Sequence, residues 1–533
     1  MAAVMANSAP STSLSPDSGL GVHFGSSAAC VAFIKDGRAD VIANDLGDRV
    51  TPCYVAFTEH DIPVGMAAKQ GVIRNSKNTI VHAKQALGRP FDHEITKEFA
   101  ASSMAHVVNK NGETAFEVDF KNKRTSFTVS ETVEILFKKL LEIGQSKAGK
   151  DCHDAVLAVP LNFTEEQKNL LRQIATKAGF NILRLIHEPT AAILAYDMQL
   201  DEDMSSGYVL VFRLGGVSCD VTVVSVAGGL YSIVTGVSDY KLGGDNFTEV
   251  LLTHLQGEFK RQCRHDISDN KRSLAKLRRG AEMCKHALST LSNSHCSVDS
   301  LYEGIDFSTT VSRARFESLC NSLKTQCLMK IEQVLSKAGI QKSDIEKVIV
   351  CGGGAKTPLV QKMVSDAFPH ARLLNHIPPD EVIAMGAAKE VGILKSFKNK
   401  LIPEKDYQYQ FEMLSQAIAV KVRENREKST YKDFQTVFNK CTPIPSHQKF
   451  VFSASSEESA FFLDVLELED KSEEEISNGQ ENVDKVLASV VMKNIAQEAA
   501  VSTSFYLTKE KFLEVICQEE STNKKLTVQI PVR

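Results

Sequence analysis

Four glycine-rich turns are the part of this sequence best suited to chemistry: Gly25-Ser26-Ser27, Gly215-Gly216, Gly243-Gly244 and Gly352-Gly353-Gly354. Each follows an apolar, strand-like run. Glycine lets a backbone turn tightly and lets a ligand approach it closely. Consecutive free N–H groups in such a turn form a concave anion site, so the chemistry on offer is phosphate binding. The last two turns run into helical patterns at 247–255 and 359–368. Helix N-termini add partial positive charge toward a bound phosphate. One glycine pair more often serves only a turn. Four of them, two within an internal repeat, point to a nucleotide cleft between two lobes. The absence of GxxxxGK[ST] and of GxGxxG argues against P-loop and dinucleotide-binding readings.

The elements that must hold these turns follow from periodicity. Residues 21–34 read GVHFGSSAACVAFI and residues 211–224 read VFRLGGVSCDVTVV. With Gly25 set against Gly215, both are strand, small-residue turn, strand. A pattern that recurs once at this distance predicts two similar lobes facing each other. From residue 19 to about 394, strands (155–159, 182–186, 208–214, 348–351) alternate with helical patterns, an α/β architecture. The helix after Pro160 opens on Thr164 and Gln167 in capping-box spacing and aligns Leu170, Leu171, Ile174 and Ala178 on one face. Another opens at Ser130, repeats Val133, Leu136, Phe137, Leu140 and Leu141, and is expected to end at Gly144. Residues 395–407 are polar and basic and read as a linker. Residues 408–533 carry short alternating runs (434–438, 449–453, 460–468, 501–507, 526–532), a small antiparallel β domain. An acidic stretch at 469–482 reads as a solvated loop, and no helical lid is expected after the last strand. Residues 1–18, rich in Ala, Ser and Pro, fit neither a secretory signal nor a transit peptide and read as a disordered extension.

Composition excludes several classes. The 533 residues are 43% hydrophobic and 24% charged, with a formal net charge of −4. That rules out wholesale disorder and does not suggest nucleic acid as the main partner. No apolar run is long enough to span a membrane. None of the twelve cysteines is at CxxC spacing, so no zinc site is expected. Cys30, Cys219 and Cys351 lie in apolar runs as small buried hydrophobes, which fits a reducing compartment, cytosol or nucleus.

Four segments carry a family resemblance: LRLIHEPTAAILAY at 183–196, DSLYEGIDFSTTVSRARFESL at 299–319, VIVCGGGAKTPLVQ at 348–361 and PPDEVIAMGAA at 378–388. From Gly21 to about Leu394 the chain resembles the nucleotide-binding domain of the 70-kDa heat-shock (DnaK-type) chaperones, of the two-lobed actin-like ATPase fold. The resemblance implies ATP as ligand. It places Gly25, Ser26, Ser27, Gly215, Gly216, Ser218, Gly243 and Gly244 around the phosphates. It places Glu282, Lys285, Ser289, Gly352, Gly353 and Asp380 at adenine and ribose, with Lys84, Arg213 and Lys356 also at the nucleotide. Lys84, in NTIVHAKQALGR, matches the family lysine that serves hydrolysis, and Glu188 matches a carboxylate near the magnesium shell.

The departures from the family pattern bear on mechanism. Two aspartates that help hold Mg²⁺ are His23 and Arg213 in this chain. Mg²⁺ demands oxygen ligands, and neither imidazole nor guanidinium supplies one. The third glycine of the second loop is Val217, an arginine of the adenine pocket is His286, and another in the last loop is Lys356. Phosphoryl transfer rests on positioning and metal neutralisation, so ATP is expected as a structural or regulatory ligand with little or no turnover. No catalytic residue and no metal site are assigned. Arg213 could fork onto phosphate oxygens or instead make a salt bridge within the domain. Asp220 could support the phosphate site or merely cap its turn.

The segment FQTVFNKCTPIPSHQKFVFS at 434–453 resembles part of the family's β substrate domain. The family's acidic, leucine-rich linker and its helical lid have no counterpart here. This short pattern resembles the DnaK-like subunit of the cytosolic ribosome-associated complex. That resemblance implies a stable heterodimer with a zuotin-type J-domain protein, with ribosome and nascent polypeptides as indirect partners and no membrane. The basic run at 260–279 reads as a solvated helical face rather than an RNA site. A self-sufficient ATP-hydrolysing chaperone is the alternative function, and a small-molecule kinase of the same superfamily the remote one.

Overall fold

The structure is a computed structural model that describes residues 18–196, 206–227, 230–398, 414, 416–425, 431–438, 442, 446–456, 458–468, 485–508, 512–522 and 524–532. The expected extension at 1–17, most of the expected linker and the acidic stretch at 469–482 lie outside the described residues. The chain divides into two compact units, Met1–Ile402 and Pro403–Arg533.

The first unit is α/β and contains the repeat. Gly19–Phe24 pairs antiparallel with Ala28–Lys35 and parallel with Asp154–Val159, which pairs parallel with Asn181–His187. Ser206–Leu214 pairs antiparallel with Cys219–Ala227 and parallel with Ile345–Cys351. Each lobe is thus a mixed sheet in which a hairpin lies beside a parallel crossover strand. Such strands, buried on both faces, read as continuous apolar runs. Two helices, Glu188–Ala195 and Val382–Lys398, fill the layer between the sheets. Ala191, Ala192, Ala387 and Ala388, all buried, allow the close approach. At the crossing a Cβ on Gly386 would lie 1.7 Å from the Ala191 carbonyl oxygen. Gly386→Ala should therefore cost about 1–3 kcal/mol through overpacking, read by urea denaturation.

Local signals account for most elements. Thr164 caps Glu165–Lys177, with Gln167 reciprocating, and Leu171 and Ile174 are buried. The helix expected to stop at Gly144 runs over Val129–Ala148 and ends at Gly149. Gly144 is there for space, since a Cβ would meet Leu20 Cδ1 at 2.6 Å. The expected linker also starts too early, because residues 395–398 belong to the helix Val382–Lys398. Lys395 Nζ is 2.7 Å from Asp154, an ion pair that ties this basic stretch to the domain.

The second unit is antiparallel β throughout its described residues. Tyr431–Phe438, Ala417–Arg423, Ala460–Leu468 and Lys485–Lys493 make one four-stranded sheet. Ser446–Ser453, Ala500–Leu507, Phe512–Glu519 and Lys525–Pro531 make the other. Phe461, Leu463, Val465, Phe505 and Val515 lie in the buried core of this unit.

Candidate functional site

The two hairpin turns of the repeat close with the same hydrogen bond. Gly25 N–H donates to Ala28 O at 3.1 Å, and Gly215 N–H donates to Ser218 O at 2.8 Å. The third turn docks on the second: Gly244 N–H donates to Gly215 O and Asp245 N–H to Gly216 O, each at 2.8 Å. A Cβ on Gly216 would fall 2.0 Å from Ser27 Oγ, so the loops of the two lobes touch there. Gly352, at φ 88°, passes so close that a Cβ would lie 2.4 Å from Leu214 O. The four turns therefore converge, and backbone contact at the convergence leaves no room for side chains.

They border a cleft of 710 Å³. Of the residues expected at a nucleotide, Gly25, Ser26, Ser27, Arg213, Gly215, Gly216, Gly244, Glu282, Lys285, Ser289, Gly352, Gly353, Lys356 and Asp380 line it, as does His23. Lys84 and Ser218 do not. They line a chamber of about 30 Å³ behind the phosphate loops, shared with Ser26 and Arg213. That is room for about one water. Gly243 is packed behind Gly216, where a Cβ would lie 2.4 Å from Gly216 O. Glu188 lies on the inner side of Arg213, in a small cavity shared with Asp220.

At the phosphate end the side chains form one buried charge network. Glu188 opens the central helix Glu188–Ala195. Its carboxylate is 2.9 Å from Arg213 Nε, 3.4 Å from Lys84 Nζ and 3.5 Å from His23 Nε2. Arg213 Nη1 donates to Asp220 Oδ2 at 2.5 Å and to Ser218 Oγ at 3.0 Å. Lys84 also donates to the Phe24 carbonyl of the first hairpin. Burial by itself would raise the Glu188 pKa, but Arg213, Lys84 and His23 hold it well below the usual carboxylate range. Burial works against the Arg213 charge, yet Glu188 and Asp220 keep it firmly protonated. Burial lowers the pKa of His23, against the pull of Glu188, so the imidazole is neutral. It also lowers that of Lys84. The cluster thus sets two basic side chains, Lys84 and Arg213, against two acidic ones, Glu188 and Asp220.

Mg²⁺ does not fit this set. Both carboxylates are already engaged by cations, and a dication would sit against Arg213 and Lys84. A phosphate does fit. Arg213 Nη1 and Nη2 both lie at the Gly215 turn, 3.5 Å from where a Cβ would stand, and Nη1 alone bonds Ser218 and Asp220. Nη2 is left to donate to a ligand oxygen.

At the opposite end, Lys285 donates to Gly244 O at 2.9 Å and to Thr248 Oγ1 at 2.7 Å, fixing the base-side helix to the third turn. Lys356 pairs with Asp380 at 2.6 Å, and Ser289 donates to Lys285 O. Sequence reasoning missed Lys69, which pairs with Glu282 across the cleft at 2.9 Å. It also missed Arg49, which engages Glu381 at 2.7 Å, and His82, near Ser27 and Asp245. Only His82 left a trace, standing two residues before Lys84 in a quoted motif. The basic run at 260–279 is partly neutralised in place: Lys260 pairs with Asp266, Arg261 with Glu258 and Arg278 with Glu249. No helix among the described residues is long and apolar enough to cross a membrane.

Comparison with known proteins agrees with this geometry. A family model described as Hsp70 protein matches residues 19–531. The chain is 40% identical over 514 residues to heat shock 70 kDa protein 14 of Danio rerio, covering 96% of this chain and 98% of that one. It is 39% identical over 517 residues to the Bos taurus and Homo sapiens proteins of the same name, covering 96% of this chain and 99% of each. With the cleft, the repeated hairpins and the β unit already in view, these matches establish that the chain belongs to the Hsp70 family.

Proposed function

We propose that this chaperone-family protein holds ATP as a structural or regulatory ligand, without Mg²⁺, and turns it over little or not at all. The observation that carries this reading is the Arg213 guanidinium. It is fixed by Glu188 and Asp220 at the wall of the cleft, with Nη2 beside the Gly215 turn. Arg213 would supply fixed positive charge to the phosphates in place of a mobile dication. The Gly25 and Gly215 turns would offer backbone N–H groups, and Lys285 and Glu282 would frame the base side. Nothing in this set polarises a terminal phosphate and activates a water together. The chamber behind the loops has room for about one water, and two of the cations in its wall, Lys84 and Arg213, are already engaged in ion pairs. Binding without catalysis follows, since turnover needs interactions made only in the transition state.

Such a protein would act through partners. From the resemblance to the DnaK-like subunit of the cytosolic ribosome-associated complex, we propose a stable pair with a zuotin-type J-domain protein, in the cytosol, serving nascent chains at the ribosome. Recovery from lysate at low and high salt tests this. A stoichiometric J-domain protein, with ribosomes lost at high salt, is the expected result. Free monomer that releases assorted peptides on ATP addition would instead indicate a self-sufficient chaperone.

The nucleotide reading has a direct test. Calorimetric titration of ATP into the purified protein should give the same dissociation constant, within about twofold, in EDTA and in excess Mg²⁺. Phosphate release should stay at the buffer background. Binding that requires Mg²⁺, or brisk phosphate release by the isolated chain, overturns it.

A further inference from the structure

His82 has no part in the reading above, yet it is held in an unfavourable backbone conformation at the edge of the cleft. Its φ is 55°, in the left-handed region, at the entry to the single turn Ala83–Ala86 that carries Lys84. A non-glycine residue there costs about 1–3 kcal/mol and persists only where its surroundings enforce it. The conformation brings the ring between the lobes. Nε2 lies 3.3 Å from Ser27 Oγ, in the first hairpin turn, and 3.6 Å from Asp245 Oδ2, in the first turn of the helix Gly244–Cys263.

The chemistry of these three groups limits the proton arrangement. Burial lowers the pKa of the ring, while Asp245 and Glu282 pull it up and Arg278 and Lys69 push it down. The net result is a neutral imidazole with a single N–H. The Asp245 carboxylate, 3.6 Å away, is beyond hydrogen-bond reach, but its negative charge favours the tautomer that carries the hydrogen on the nitrogen facing it. Nε2 therefore donates, and Ser27 Oγ receives rather than gives in its contact with the ring. The Ser27 hydroxyl hydrogen is then free to point elsewhere, and Ser27 lines the cleft.

We propose that His82 is a positioning residue for phosphate. Its Nε2–H, favoured by the nearby Asp245 charge, donates to Ser27 Oγ and so turns the Ser27 O–H toward a phosphate oxygen in the cleft. The inference rests on the nucleotide reading and adds the device that aims one hydroxyl of the first loop. It also gives the strained backbone a purpose, because a relaxed residue at this position would carry the ring elsewhere.

The test uses the full chain with ATP as probe, and three variants. His82→Asn tolerates the left-handed conformation but is too short to reach Ser27. His82→Gln restores an N–H donor at about the reach of Nε2. Ser27→Ala removes the aimed hydroxyl. ATP affinity should fall roughly 3- to 10-fold in His82→Asn and in Ser27→Ala, the worth of one hydrogen bond. It should return to within about twofold of native in His82→Gln, and the Asn/Ala double variant should lose no more than either single one. Thermal melts confirm that each variant is folded, and Ser27→Ala serves if His82→Asn is not. Native affinity in folded His82→Asn, a failure of glutamine to rescue, or fully additive losses overturns the role given to His82 while nucleotide binding stands. If the native chain takes up no ATP, the nucleotide reading itself falls and this role falls with it.

Discussion

Arg213→Ala should destabilise the first unit by about 3–5 kcal/mol at neutral pH and abolish measurable ATP binding, as urea denaturation and titration of the same preparation would read. Arg213 is 8% exposed and Glu188 3%, so the pair is screened little by solvent. Removing the guanidinium leaves the Glu188 carboxylate buried with one cation, Lys84, at 3.4 Å, and leaves Asp220 with the Ser218 hydroxyl in place of a charged partner. Breaking one side of a buried pair costs far more than the pair contributes, because the remaining charge stays desolvated. The pH dependence identifies the cause. In the native chain Glu188 titrates well below the ordinary glutamate range. Its contribution is therefore present above that range and is lost only as pH falls through the depressed value. Without Arg213, burial would push the Glu188 pKa upward. The destabilisation should thus be largest at neutral pH and shrink on acidification, as Glu188 takes up a proton. A loss that does not vary with pH would mean that Arg213 matters for packing rather than for charge.

Much of the first unit was legible in the sequence because local rules fixed it. The repeat around Gly25 and Gly215 predicts paired hairpins, and both close with the same turn hydrogen bond. Thr164 and Gln167 announce a helix start because the capping box is satisfied within four residues. Gly144 misled for an equally physical reason. In sequence a glycine near a helix end reads as a stop, whereas here it makes room for Leu20 of a strand far away in the chain. The strands Ala417–Arg423, Lys485–Lys493 and Phe512–Glu519 escaped notice. Lys485–Lys493 has only two fully buried residues and so little alternation to read.

The site divides along the same line. Glycine turns and the replacements at His23 and Arg213 stand out by residue type alone. The partners of Arg213 do not, because Glu188 reaches it from a helix between the sheets and no short-range pattern encodes that meeting. Of the two fates considered for Arg213, the salt bridge within the domain is the one seen: Nη1 and Nε are engaged by Asp220 and Glu188, and Nη2 remains beside the Gly215 turn. The Lys69–Glu282 pair was invisible for the same reason, since its members are brought together only by the facing of two lobes.

Returning both positions to acid gives the second large effect. In the His23→Asp, Arg213→Asp double variant the cluster would hold the two introduced carboxylates together with Glu188 and Asp220, and Lys84 would be its one remaining cation. Like charges this close cannot all ionise when buried, so in EDTA the variant should melt well below the native protein, with some carboxyls protonated. Oxygen ligands gathered around a cleft are what Mg²⁺ requires, so the dication should now bind and stabilise the fold. At a hundredfold excess over its dissociation constant a ligand adds about 2.7 kcal/mol, a rise of several degrees in melting temperature. The native protein should show no such rise. ATP affinity, expected to be indifferent to EDTA in the native chain, should become dependent on Mg²⁺ in the variant, and phosphate release should climb above background and be lost again on adding Lys84→Ala. A variant that melts at the same temperature with and without Mg²⁺ would show that something other than His23 and Arg213 keeps the dication out. The claim that those two side chains stand in for the metal would then be untenable.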